Sequence, residues 1–170
     1  MDLRDYIRDI PDFPKEGVLF KDITPLLASP DALKEAISQL AARFDGCGAT
    51  KILGAEARGF IFGAAMACEM GVGFVPVRKP GKLPHKTLEA SYDLEYGTDT
   101  LCIHEDAIAP GETILVIDDV LATGGTIGGI LQLASRARAD IAGIGFLMEL
   151  SFLGGREKLG DNRVETLITY

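Results

Sequence analysis

Apolar residues in this chain fall into short blocks whose period switches back and forth between helix and strand. From 29 to 44, SPDALKEAISQLAARF puts Leu33, Ile37, Leu40, Ala41 and Phe44 on one helical face. Ser29 is a suitable cap and Pro30 a suitable first helical residue. KILGA (51–55) reads as a short buried strand. FIFGAAMACEM (60–70) is apolar almost all round and stops before Gly71, the pattern of a helix buried against a sheet. GFVPVRK (73–79) reads as a strand, and ETILVIDDV (112–120) contains the strongest apolar run. A helix over 125–138, a strand over 141–148 and a last strand, VETLITY (164–170), follow. Strands alternating with helices predict an α/β fold: a central, mostly parallel sheet with helices on both faces. Residues 90–104 break the alternation and read as an antiparallel hairpin with Gly97-Thr98 near its turn. Residues 1–29, with Pro11, Pro14 and Pro25, read as a short helix followed by irregular chain.

Composition narrows the classes. A chain of 170 residues with no repeat or linker is expected to form a single domain, residues 1–170. Lys and Arg number 17 against 25 Asp and Glu, a net charge of -8. That balance argues against nucleic-acid and membrane partners, which need a basic field. Three cysteines without CxxC spacing fit neither a disulfide framework nor a zinc ribbon, and two histidines without HExxH give no metal site. The N-terminus lacks a signal-peptide core, and no run reaches membrane-spanning length, so a cytoplasmic location is expected.

VIDDVLATGGT (116–126) changes the picture most. An apolar strand ends in two carboxylates, followed by a small, hydroxyl-bearing, glycine-rich turn and a helix. Ligands of open α/β sheets bind at the carboxyl ends of strands. Ala122, Thr123, Gly124, Gly125 and Thr126 would bring backbone N–H groups at a helix N-terminus to a phosphate. Asp118 and Asp119 would repel that phosphate; as acceptors they suit sugar hydroxyls or a water-clad Mg²⁺. A phosphate site beside a diol site fits a ribose 5-phosphate. Arg58, after the 51–55 strand, offers a fork of donors for an anion. Arg78, Lys79, Lys82 and Lys86 reverse the acidic background locally. Phe20 is either a stacking platform for a base or an ordinary core ring. Glu95 and Tyr96 lie in the hairpin, which could close over a reactive site.

VIDDVLATGGT resembles the phosphoribosyl-pyrophosphate (PRPP) motif of the type I phosphoribosyltransferase family. FPKEGVLFKDITPLL (13–27), GAEARGFIFGAAMA (54–67), VRKPGKLP (77–84), SYDLEYGTDTL (91–101) and ELSFLGGREKL (149–159) are similar to family segments in the same order, in the branch that uses adenine. The resemblance implies transfer of phosphoribose from PRPP to adenine, giving AMP and pyrophosphate with Mg²⁺ as cofactor, in a homodimer. Mg²⁺ would be held mainly through pyrophosphate and water. It implies a small N-terminal hood, 1–29, where Phe20 stacks on adenine and the backbone at Leu19 and Lys21 reads its edge. Glu56 is a further candidate near the base. Arg58, Arg78, Lys79 and Lys82 would meet pyrophosphate, and a cis peptide is implied at Glu56-Ala57. Glu95 is the candidate for assisting the base proton, and Tyr96 would close with it in a flexible hairpin loop. The remaining readings are a related enzyme using guanine, hypoxanthine, xanthine or orotate, and a non-catalytic PRPP or purine sensor.

Overall fold

A computed structural model describes residues 1–93 and 97–170. The chain opens with a 3₁₀ turn and an antiparallel ribbon of β1 (Arg8–Ile10) and β2 (Phe20–Asp22), pairing Ile10 with Phe20. Helix α1 (Thr24–Ala28) follows, with the Asp22 carboxylate accepting from the Thr24 N–H at 2.9 Å and its hydroxyl at 2.8 Å. These bonds hold the Asp22 carboxyl below its ordinary range. The opening segment was expected as a helix and irregular chain. Strands of three residues are too short to register as a period, so the ribbon was missed.

Beyond it come α2 (Pro30–Arg43), β3 (Lys51–Ala55), α3 (Gly59–Met70) and β4 (Gly73–Val77). Ser29 caps α2 by accepting from the Ala32 N–H at 3.3 Å. Gly71, at φ 67°, closes α3 in the left-handed conformation that favours glycine. Strands β5 (Thr87–Asp93) and β6 (Thr98–His104) form the hairpin. Then come β7 (Thr113–Leu121), α4 (Gly125–Arg136), β8 (Asp140–Glu149) and β9 (Val164–Thr169).

Five strands make one sheet in the order β4-β3-β7-β8-β9, with every described pair parallel. β7 lies in its middle, and the sequence explains why. Ile114, Leu115, Val116 and Ile117 are all fully buried. Ile114 and Val116 pack with Phe146 and with Ile127, Ile130 and Leu133 of α4. Leu115 and Ile117 pack with Phe62 and Met66 of α3 and Leu40 of α2 on the other face. An uninterrupted apolar run is what a strand covered on both faces requires.

From β3 the chain winds outward to β4; from β7 it winds the other way to β8 and β9. Right-handed crossovers running in opposite directions put α3 and α4 on opposite faces. The order reverses between β3 and β7, which opens a crevice at their carboxyl ends. The hairpin packs on the α4 side, with Ala90, Tyr92, Leu101 and Ile103 in that half of the core.

Candidate active site

The crevice holds a cavity of about 310 Å³ lined by Glu56–Arg58 and Asp118–Ile127. β7 delivers the two aspartates, then turns through Ala122–Gly124 into α4. No side chain caps α4, so the first-turn N–H groups are free to bind an anion. Gly124 sits at φ 79°, and a Cβ there would lie 2.7 Å from the Gly155 carbonyl oxygen. A Cβ on Gly155 would lie 2.1 Å from the Ala122 oxygen. The loop and the Gly154-Gly155 turn therefore meet backbone to backbone, which only glycine permits.

Asp118 Oδ1 accepts from the Asp119 N–H at 2.9 Å and abuts Gly59 at the start of α3. Burial, and then the Asp119 charge, push the Asp118 carboxyl well above its ordinary value. Burial also raises Asp119, against the opposing pull of Arg58. Arg58 Nε lies 2.9 Å from Asp119 Oδ2, but no N–H is aimed along that contact. Asp119 Oδ2 is thus a buried acceptor without a hydrogen bond among the described residues. The Glu56-Ala57 peptide beside it is cis.

A second, mainly apolar cavity of about 240 Å³ adjoins the first and shares Arg58, Val120 and Ala122 with it. Its remaining walls are Val18–Lys21 from the N-terminal ribbon and Met148 and Leu150 from the end of β8. The Phe20 ring meets Phe13 edge-on at 5.1 Å, and the Arg58 guanidinium stands 5.4 Å from its centre. The Lys21 ammonium is engaged elsewhere, 2.6 Å from Asp9 and 3.8 Å over the Tyr170 ring. What Lys21 offers this cavity is therefore backbone.

The other expected site residues fall in different places. Glu56 lines the larger cavity rather than the apolar one; its Oε1 accepts from Arg78 Nε at 3.2 Å and the Lys79 N–H at 2.8 Å. Arg78 and Lys79 form a shell behind Glu56 and outside the cavity lining. The Lys79 ammonium bonds Asp99 on β6, and Tyr92 donates to the same carboxylate at 3.3 Å. That bond raises the Lys79 pKa against the opposing pull of desolvation, and lowers that of Asp99. Lys82 is exposed. Glu95 and Tyr96 lie outside the described residues.

Sequence reasoning assigned no role to Val18, Val120, Met148, Leu150 or Gly155. Met148 and Leu150 carried one usable signal: they stand at the carboxyl end of a strand in a sheet whose ligand crevice opens at such ends.

The phosphoribosyl transferase domain family matches residues 21–162, so this chain belongs to the phosphoribosyltransferases. Its relatives place it in the adenine branch of that family. It is 63% identical over 168 residues to the adenine phosphoribosyltransferase of Solidesulfovibrio magneticus, covering 99% of this chain and 98% of the relative. Among solved structures, it is similar to adenine phosphoribosyltransferase from Thermoanaerobacter pseudethanolicus, with TM-score 0.96, 49% identity, and 99% and 98% of the two chains covered. The Saccharomyces cerevisiae enzyme, crystallised with adenine and an imino-altritol bisphosphate, matches with TM-score 0.89 and 39% identity over 95% and 94% of the chains.

Proposed function

We propose that this chain transfers the 5-phosphoribosyl group of PRPP to adenine, yielding AMP and pyrophosphate, a purine-salvage reaction. One observation carries the reading: a phosphate-binding loop and an apolar, aromatic-walled pocket share a wall at Arg58, Val120 and Ala122. A sugar phosphate in the first cavity and a planar base in the second would meet at that wall. The identity of the relatives supports adenine as the base.

The 5-phosphate takes the N–H groups and hydroxyls of Ala122–Thr126. Asp118 and Asp119, which line this cavity, accept from the ribose hydroxyls. Arg58 stands at the junction and offsets charge on the departing pyrophosphate, with Arg78, Lys79 and Lys82 supplying positive potential behind it. As the bond from C1 to pyrophosphate breaks, a ring nitrogen of adenine bonds to C1 and gives up its proton, which the departing pyrophosphate takes. The protein contributes mainly position and electrostatics. Phe20 supplies the aromatic face for the base, within a hood drawn from residues 1–29.

No group of three or more His, Cys, Asp or Glu forms a metal cage among the described residues. Mg²⁺ would enter on pyrophosphate oxygens and water, where it would neutralise leaving-group charge; Asp118 and Asp119 line the cavity and would be the acceptors for its waters. A homodimer is the assembly the family resemblance implies, and symmetric dimers are the commonest oligomers. Light scattering that gave a monomer at micromolar concentration would remove it. A cytoplasmic setting is supported by three free thiols, Cys47, Cys68 and Cys102. No described helix is long and apolar enough to cross a membrane.

The test is a side-by-side assay of adenine, guanine, hypoxanthine and xanthine with PRPP, following pyrophosphate release. Adenine should be used with kcat/KM far above the others. A preference for a 6-oxopurine overturns the adenine reading, and failure to release pyrophosphate with any base overturns the enzyme reading.

A further inference from the structure

Between β8 and β9 the chain leaves the sheet and runs through two 3₁₀ turns, Ser151–Leu153 and Gly155–Leu159. This segment supports the anion loop from beneath, through the contact of Gly155 with Ala122 and Gly124. Because backbone meets backbone there, no side chain can yield to absorb a shift. A shift of Gly155 toward the loop therefore displaces it, and a shift away removes its support.

What fixes Gly155 is its neighbour. Arg156 Nε donates to the two Glu149 oxygens at 3.0 and 3.2 Å, and Nη2 donates to Oε2 at 2.5 Å. Its Nη1 donates to the Val164 carbonyl at 3.2 Å. Glu149 is buried at the end of β8, paired in register with Leu121 of β7 and Thr169 of β9. A planar, forked donor on an acid set in a three-strand frame is a rigid tie. Neither residue lines either cavity.

Apart from Ala122, which both cavities share, the walls of the base pocket do not depend on this tie. Met148 is held in register by Val120 and Ile168. The Leu150 N–H donates to Leu121 at 2.9 Å and the Ser151 N–H to Tyr170 at 3.0 Å. Those backbone bonds keep the pocket wall in place whether or not Arg156 is anchored.

We propose that Glu149 and Arg156 are positioning residues for phosphate binding: their ion pair holds Gly155 against Ala122–Gly124 and so sets the anion loop, while the base-pocket walls other than Ala122 are held independently. This rests on the phosphate reading of residues 122–126.

The experiment measures KM for PRPP, KM for adenine, kcat and melting temperature in Arg156→Lys, Glu149→Gln and Gly155→Ala, with Thr126→Ala as reference. Arg156→Lys keeps the charge and loses the fork. Gly155→Ala displaces the loop while leaving the pair intact. All three should raise the PRPP KM by roughly tenfold, the scale of a sub-ångström misplacement, with adenine KM and kcat within about twofold. A lower melting temperature with unchanged PRPP KM would mean a purely structural tie and overturns the proposal. So do equal rises in both KM values. If Thr126→Ala raises the PRPP KM and the pair variants do not, the proposal alone fails. If Thr126→Ala also has no effect, the phosphate reading fails and takes the proposal with it.

Discussion

Replacing Gly124 by alanine adds one methyl group at the tightest point of the anion loop. Its backbone φ of 79° alone costs a side chain about 1–2 kcal/mol. The new Cβ would also lie 2.7 Å from the Gly155 carbonyl oxygen, where real Cβ contacts stay beyond 3.0 Å. That oxygen belongs to backbone, so relief requires the loop and the turn to part by some tenths of an ångström. For a domain of this size each kcal/mol shifts melting by about 2–4 °C, so the backbone term predicts a fall of about 2–8 °C. The donors at 123–126 move with the loop, and a displacement approaching 1 Å costs up to about 10²-fold. We expect a PRPP KM at least roughly tenfold higher at saturating adenine, and an adenine KM little changed. Steady-state kinetics with PRPP varied, beside a thermal melt, reads both. A Gly124→Ala enzyme with wild-type PRPP KM and wild-type melting would refute the account of this contact.

Further outcomes follow from the same geometry. Arg58→Ala and Asp118→Ala should each cut turnover by about 10²-fold or more, as loss of a preorganised charge typically does; near-normal rates in both would sink the assignment. Phe20→Ala should raise the adenine KM roughly five- to a hundredfold, the span of one base–aromatic stack, and leave the PRPP KM alone. An unchanged adenine KM would place the base elsewhere. Asp118→Asn tests the burial of the acidic pair. The folded chain raises the Asp118 pKa, so it binds that proton more tightly than the unfolded chain does. Wild-type stability therefore falls as pH rises from about 4 through the raised value, and the asparagine variant lacks that penalty. Its melting temperature should exceed wild type at about pH 8, with the gap closing toward about pH 4; a gap of opposite sign contradicts the burial argument.

The sheet was legible because β7 and β8 are long and apolar enough to declare burial on both faces. The helices were legible because Ser29 and Gly71 mark their ends with cap chemistry. The turn from β7 into α4 was legible because the eleven residues of VIDDVLATGGT read together, a strand, two carboxylates, hydroxyls and a glycine pair, where the glycine pair alone would have meant only a turn. The apolar cavity was not. Its walls come from a three-residue strand near the start and from Met148 and Leu150 far along the chain, and no local pattern joins them. Glu56 illustrates a different limit. Its acidity fits a base contact as well as it fits an anchor, and only the bonds to Arg78 and Lys79 place it among the basic residues. Gly155 was quoted within a motif, yet its reason, a contact with Ala122, is a property of the tertiary approach.

The wall shared by the two cavities has a consequence for inhibition. On the proposed reading, a base alone would fill one chamber and a sugar phosphate alone the other. A molecule that carries both halves on one frame makes its second contact at high effective concentration, without a second loss of translational freedom. Tethered two-headed ligands should therefore bind far more tightly than either fragment. The product AMP is the simplest of them, so on this reading retention of product would be built into the two adjoining cavities.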